Sequence, residues 1–366
     1  MKSGLIEFRA GESAYRIIKE KGLSSDDVKV VAGASGAAKW LVLAGLDKYL
    51  FSDWFKDRTN PLFLVGSSIG AWRFATASCP DPEKSISNLE YGYINQKYDG
   101  KPTPGEVSSV GWDILGKLFD EKSSMHALNH PFMRLSILTA RSRGILSTES
   151  KIRTTLGITA AAMANAVDRK YLGYFFERAM FSDFRDLPHF FNMDEFPISQ
   201  IRLDEHNLKQ AVMASGSIPI IMEPVTGINN AKPGVYRDGG IIDYHLDIPF
   251  LPVESEGITL YPHYAGQIIP GWFDKYLKKR RPDMENMSSV LLVYPSEKFV
   301  KMLPYSKIPD RNDFTRFLNK DKERIAYWTK AAEMSKMIAD EFHDIVDSGR
   351  IKNTVKHMNT LWPDRL

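Results

Sequence analysis

A glycine-flanked serine occupies residues 66–70, Gly66-Ser67-Ser68-Ile69-Gly70, directly after the apolar run Leu62-Phe63-Leu64-Val65 and before a helix-like stretch reaching about Thr76. A serine that attacks a carbonyl has to project from a sharp turn, and glycines on either side let the backbone turn without a Cβ clash. The helix that follows would aim its N-terminal N–H groups and the positive end of its dipole at the same spot, favouring a developing negative charge. Chance places such a triplet in roughly one chain in ten of this length. The strand–turn–helix context therefore has to carry the reading, and an ordinary βα turn using small residues for close packing would look similar.

A nucleophilic serine needs a base. Asp238-Gly239-Gly240 follows a short extended run, Gly234-Val235-Tyr236-Arg237, and an Asp at a strand end before two glycines can come very close to another backbone segment. A glycine-rich turn with Asp as its hydrogen-bonding residue accounts for the same letters. His245 and His263 lie downstream, so a Ser–Asp–His order stays open as well. Asp243 and Asp247 are expected to cap or solvate the turn after Asp238. Like-charge repulsion from them would raise its pKa and help it act as a base near neutrality.

A third chemical element is the small-residue loop Gly33-Ala34-Ser35-Gly36-Ala37-Ala38-Lys39. A phosphate-binding loop needs Gly before the Lys and Ser or Thr after it; Ala38 and Trp40 stand there instead, and no Gly-x-Gly-x-x-Gly fingerprint is present. Nucleotide binding is excluded on both counts.

These three segments have to be held by something. Val28–Ala32 and Leu62–Val65 read as strands, with Ala37–Leu50 an amphipathic helix between them, and this alternation predicts a layered α/β sheet with crossover connections. Residues 80–130 read as mostly helical, broken at Pro102-Thr103-Pro104-Gly105. Leu135–Ala140 reads as a strand, Ser150–Val167 as a helix, and its Ile158–Val167 part as a buried, Ala-rich one. Further strands are expected around Tyr171–Met180, Gly234–Arg237, Ile258–Leu260 and Val290–Tyr294, with a helix over Leu203–Ala214. Apolar residues three or four apart from Phe314 to Ile345 predict C-terminal helices packed on the core.

Composition bounds the rest. The 366 residues are 43% hydrophobic and 25% charged, ordinary for a globular chain. A net charge of +3 does not support a nucleic-acid partner, though it is compatible with anionic surfaces. The single cysteine, Cys79, has no partner for a disulfide or a metal site and is expected to fill a small buried space. Charges at the N-terminus, and no apolar run near the ~20 residues of a spanning helix, lead us to expect a cytoplasmic protein, peripheral at membranes if it meets them. The best lipid-facing segment is Ile268–Arg281, where Trp272 and Phe273 precede the basic run Lys278, Lys279, Arg280 and Arg281. A helix packed by its aromatics, with a solvated basic end, is the competing expectation.

Taken in order, four segments resemble the patatin-like phospholipases: the loop Gly33–Lys39, the elbow around Ser68, the block Ala214-Ser215-Gly216-Ser217-Ile218-Pro219, and Asp238-Gly239-Gly240, 170 positions beyond the serine. The resemblance covers roughly residues 27–250. It implies a three-layer α/β/α sandwich with a mostly parallel central sheet, plus C-terminal helices, divided as a leader (1–26), an acyl hydrolase domain (27–300) and a helical extension (301–366). It also implies a Ser68–Asp238 dyad supported by Gly66, Gly70, Gly239 and Gly240, an oxyanion loop of Ser35, Gly36 and Ala37 with Lys39 beside it, and a lipid or other acyl-ester substrate. No metal or cofactor is implied, and no oligomeric state. The family's loop has three glycines, a variable residue, Arg or Lys, then Gly. Here Ser35-Gly36-Ala37 stand at the triple-glycine positions and Trp40 at the last. Ser35 is thus expected to accept whatever φ the turn demands, Trp40 to add bulk at the site entrance, and Lys39 to position the loop through an ion pair. A lipid-binding protein of weakened catalysis is the alternative that this altered loop suggests.

Overall fold

The structure, a computed structural model, describes residues 4–361. Its strands are β1 (Ile6–Ala10), β2 (Val28–Gly33), β3 (Leu62–Ser67), β4 (Met133–Ser142), β5 (Phe176–Ser182), β6 (Ile198–Arg202), β7 (Val225–Thr226), β8 (Val235–Asp238), β9 (Ile258–Pro262), β10 (Val290–Pro295) and β11 (Lys356–His357). They form one sheet in the order β11-β1-β10-β9-β2-β3-β4-β5-β6, with β8 on β4 and β7 on β8. The central run β10-β9-β2-β3-β4 is parallel; β1, β5, β7 and β8 bring antiparallel pairings. Helices cover the sheet, as expected for an α/β/α sandwich. Buried on both faces, β9 and β10 are near-continuous apolar runs.

The sheet crosses both expected boundaries. Residues 6–10 pair with β10, and 356–357 pair with β1. The edge strand β6, Ile-Ser-Gln-Ile-Arg, alternates buried and exposed residues and falls just ahead of the helix Leu208–Gly216; the sequence reading passed over it.

Two helical expectations need correction. Ala37–Trp54 is three windings in succession: a 3-10 stretch Ala37–Leu43, an α-helix Ala44–Tyr49 and a π turn Leu50–Trp54. The long C-terminal helix Asp321–Asp347 crosses here, and the Gly45 N–H donates to Ser335 Oγ at 2.8 Å. A Cβ on Gly45 would lie 2.6 Å from the Ser335–Lys336 backbone, so the crossing depends on that glycine. A side chain inserted at a helix backbone is a known cause of irregular winding.

The helix Lys151–Val167 is not buried. It buries only Thr154, Gly157, Ala161 and Asn165, spaced three or four apart. These small residues let it close against Leu146, and the larger apolar residues Ile152, Leu156, Met163 and Val167 turn outward, between 58% and 78% exposed. An apolar composition over Ile158–Val167 does not say which side of a helix meets the core. Cys79 is buried at the end of the helix Ile69–Ala77, its Sγ 3.7 Å from Ala75 O. No described helix is long and apolar enough to cross a membrane.

Candidate active site

The edge of β4 brings Ser68 and Asp238 together. β3 runs parallel along it from Leu62, opposite Met133, to Ser67, opposite Leu138. β8 continues on the same edge from the other direction, with Asp238 opposite Thr139. Two strands thus end head to head on consecutive β4 residues, and Ser68 Oγ donates to Asp238 Oδ2 at 2.7 Å.

Ser68 holds φ 55° and ψ −127°, a region costly for a residue with a side chain and typical of sites the surroundings hold in place. Its N–H donates to Ser215 Oγ at 2.8 Å, and Ser215 Oγ donates to Leu138 O at 2.6 Å. The block Ala214–Pro219 therefore pins the elbow to β4, and Ser217 O accepts the Asp238 N–H at 3.0 Å. Gly70 lies so close to β2 that a Cβ would fall 2.0 Å from Gly33 O, and one on Gly66 would fall 2.5 Å from Ala71 N. Both glycines are close-approach residues. Gly239 and Gly240 serve similarly, since Cβ atoms there would meet Leu138 O at 2.2 Å and Ser35 Oγ at 2.4 Å.

Asp238 is 6% exposed; its Oδ1 accepts the Gly240 N–H at 2.7 Å. Burial raises its carboxyl to about 6, while hydrogen bonds from Ser68 and Gly240 and the charges of Lys275 and Arg311 pull the other way. Repulsion from Asp243 and Asp247 is not the cause. Asp243 is held by a bidentate, fully buried pair with Arg178, at 2.8 and 2.6 Å. Asp247 accepts the Asp283 N–H at 2.9 Å and Asn286 Nδ2 at 3.0 Å.

The loop after β2 is fixed from behind. The Ser35 N–H donates to Tyr244 O at 2.9 Å, Ser35 Oγ donates to Ser67 Oγ at 3.1 Å, and Ser35 O accepts from Tyr264 Oη at 2.8 Å. The left-handed demand expected of Ser35 falls on Ala37, at φ 51°. Gly36 is pressed on the Tyr264 ring, which a Cβ would approach to 2.3 Å. The Gly36 and Ala37 amides stand at the open end of the 3-10 stretch, where helix-type donors have no partner of their own. Both residues line the cavity beside Ser68 and Asp238.

Lys39 forms no salt bridge among the described residues, contrary to the expected ion pair. Its ammonium sits 4.7 Å from the centre of the Tyr264 ring and is lowered by burial. Trp40 is not at the entrance; it is 1% exposed, with its ring edge-on to Tyr93. Neither histidine reaches Ser68 or Asp238. His245 Nδ1 accepts the Ile269 N–H at 2.9 Å and its Nε2 meets Tyr264 Oη at 2.6 Å. Because Tyr264 donates to Ser35 O, that pairing makes Nε2 the donor. Burial holds the ring well below its ordinary pKa and so neutral. His263 is pushed down to about 3, also by burial, and its Nδ1 meets Ala265 O at 2.6 Å.

Of the proposed lipid-facing residues, Trp272 lines the cavity and Phe273 packs on a small core with Ile241 and Ile242. Lys278 and Lys279 are exposed. Arg280 Nη2 donates to Asn165 O at 2.9 Å, and Arg281 Nη1 to Lys278 O at 2.8 Å. The cavity, about 170 Å³, is walled by Ile218, Pro219, Ile241 and Tyr244 and also lined by Lys275 and residues 310–312. Lys275 and Trp272 belong to the segment expected to face lipid, whereas no sequence expectation fell on Tyr264 or residues 310–312. The only signal was the aromatic run Tyr261-Pro262-His263-Tyr264 at the C-terminal end of β9, where α/β sheets build their sites.

Comparison with known proteins adds the following. The family model described as patatin-like phospholipase matches residues 30–249, well over half of the chain. No curated protein matches it significantly. Among solved structures, VipD from Legionella pneumophila aligns at 13% identity and a TM-score of 0.26, over 72% of this chain and 53% of that one, so the chain spans about half of VipD's length. On the family match, this chain belongs to the patatin-like phospholipases, a family of lipid acyl hydrolases.

Proposed function

We propose that the protein cleaves acyl esters of lipids through a Ser68–Asp238 dyad and an acyl-enzyme. Ser68 Oγ attacks the carbonyl carbon while Asp238 Oδ2 takes the hydroxyl proton. The oxyanion is received by the Gly36 and Ala37 amides, preset donors that need no reorganisation and are worth about 3–4 kcal/mol each in comparable sites. Collapse expels the alcohol, which takes the proton from Asp238. Water then attacks the acyl-enzyme, Asp238 again accepts the proton, and Ser68 leaves with it. An alcohol in place of water would give acyl transfer by the same steps.

The observation that carries this reading is the 2.7 Å bond between Ser68 Oγ and a carboxylate that forms no salt bridge among the described residues and is raised to about 6. A base of that pKa is ionised at neutral pH yet still a useful proton acceptor. Hydrolysis of p-nitrophenyl esters tests it. Activity and fluorophosphonate labelling in the native chain, both lost in Ser68→Ala, with kcat/KM rising through an apparent pKa near 6, are expected. A native chain that neither turns over nor labels would point instead to the lipid-binding alternative.

We also propose a peripheral lipid contact. Arg280 ties the basic run to the end of the helix Lys151–Val167, which carries exposed apolar residues. Co-sedimentation with anionic vesicles should fall when Lys278 and Lys279 become Glu; unchanged binding would remove this contact.

A further inference from the structure

In a planar trans peptide the carbonyl and the N–H point in opposite directions, so fixing one aims the other. The two amides read as oxyanion donors belong to consecutive peptide units, Ser35–Gly36 and Gly36–Ala37. The second unit is fixed locally, since Gly36 O accepts the Lys39 N–H at 3.2 Å at the start of the 3-10 stretch. The first is fixed from outside the loop. Its carbonyl, Ser35 O, accepts from Tyr264 Oη at 2.8 Å, and Tyr264 stands just after β9. A peptide unit that leads into a glycine turns easily because no Cβ resists it, so the orientation of this one depends on that bond.

Tyr264 is held in place to make it. The residue is 5% exposed, and its ring lies against Gly36, where a Cβ would come within 2.3 Å. Behind the hydroxyl, His245 Nε2 lies at 2.6 Å and Tyr244 Oη at 3.3 Å. Two tautomers of His245 compete. With the proton on Nε2, Nδ1 accepts the Ile269 N–H at 2.9 Å and the tyrosine proton goes to Ser35 O. With the proton on Nδ1, the ring donates to Gln267 O at 3.1 Å and the tyrosine proton turns to Nε2. Ile269 N–H and Ser35 O then both lose these bonds. The first tautomer pairs two buried backbone groups where the second pairs one, and it is the one the protein keeps. Burial holds the Tyr264 hydroxyl well above its ordinary pKa, so it stays a donor at neutral pH.

We propose that Tyr264, braced by His245, is a positioning residue for the oxyanion hole: its hydroxyl holds the Ser35–Gly36 peptide so that the Gly36 amide faces the carbonyl attacked by Ser68. This role rests on the reading of Ser68 as nucleophile. Tyr264 lies beyond residues 30–249, so the family match does not assign it a part.

Tyr264→Phe tests the role, because the ring stays against Gly36 and only the hydroxyl goes. A misaimed donor is felt in the transition state and not in the bound ester. On p-nitrophenyl esters kcat should fall about 10- to 100-fold, with KM within about threefold of native. The apparent pKa of about 6 should not move, since Asp238 is untouched. Thiono esters, whose C=S sulfur is a poor hydrogen-bond acceptor, gain little from the amides, so the native preference for ester over thiono ester should shrink at least about fivefold. His245→Leu leaves Tyr264 whole and gives an independent reading: a smaller loss of kcat with the same signature. His245→Gln, whose amide can donate from the Nε2 position, should recover most of it; a Gln variant no better than Leu would remove His245 from the role. A Tyr264→Phe kcat within about twofold of native, or a larger loss at an unchanged ester-to-thiono-ester ratio, would overturn the positioning role and leave Ser68 as nucleophile. A native chain that neither turns over esters nor labels with fluorophosphonate would overturn both.

Discussion

Asp238 and Asp243 lie five residues apart and are almost equally sealed from water, at 6% and 1% exposure. Asp243 meets the Arg178 guanidinium in two short hydrogen bonds, whereas the Asp238 carboxylate, among the described residues, accepts from a hydroxyl and an amide and forms no salt bridge. Asp47 repeats the first arrangement with Arg73, at 2.7 and 2.6 Å. Burial with a cation makes a carboxylate part of the framework. Burial without one leaves a group that gains from taking up a proton, which is what a base beside a serine has to do.

The largest expected effect follows from that contrast. Asp238→Asn should reduce kcat/KM by about 10⁴-fold or more, the scale seen when a member of a nucleophile–base unit is removed. Ester turnover and fluorophosphonate labelling of the purified variant check it; retention of more than a tenth of native activity would make Asp238 a bystander. Asp243→Ala should strike the fold instead, costing about 3–5 kcal/mol because buried Arg178 loses its bidentate partner and keeps only the 3.6 Å contact with the exposed Glu195. Urea unfolding measures this, and a loss below about 1 kcal/mol would show that Arg178 finds another partner.

The same comparison fixes a sign against pH. The folded pKa of Asp238, about 6, lies above its ordinary value of 3.8. Between these values the native state binds more protons than the unfolded state, so this group's contribution to stability falls as pH rises from about 4 to 6 and then levels off. Asp238→Asn should therefore be more stable than the native chain at pH 8, by up to about 2–3 kcal/mol at 1.4 kcal/mol per pKa unit. The gap should close near pH 4. Asp247, also raised to about 6 by burial, contributes equally to both proteins and cancels in the difference. Paired unfolding curves across this range would expose a wrong sign at once.

Which of these features could be read from the letters follows from how they are built. Ser68, Asp238 and their glycines are spelled locally, since a sharp turn and a close approach each demand a residue type at a fixed offset. The strands β2, β3 and β10 are legible because burial on both faces makes apolar runs of them. Tyr264 and Arg311 reach the cavity only through tertiary packing, from segments with no motif of their own, and Lys275 does so from a segment whose pattern points to a lipid surface instead. The outward face of the helix Lys151–Val167 was misread because its inner stripe is made of the small residues that close packing selects. At the oxyanion loop the left-handed residue was placed at Ser35, two positions before Ala37, because no local pattern marks where the turn inverts.

The smallest expected effect is the sharpest probe of what Asp243 is for. Replacing Asp243 by Leu and Arg178 by Met together removes both charges and both desolvation costs, so the double variant should lie within about 1–2 kcal/mol of the native chain, far above either single replacement. Glu195, 42% exposed, gives up its 3.6 Å contact with Arg178 but keeps Arg169 at 3.0 Å, and Phe196 exchanges a cation for a methionine sulfur. Asp243 also follows the dyad glycines on the chain, its N–H bonded to Gly239 O at 2.8 Å, a backbone bond that survives the substitution. Esterase activity should survive with it, because the Asp238 carboxylate is oriented by Gly240 and Ser68 and not by the ion pair behind it. A double variant that folds yet loses activity would mean that the buried pair sets the register of residues 238–243. The two carboxylates would then be one device, with the framework member aiming the reactive one.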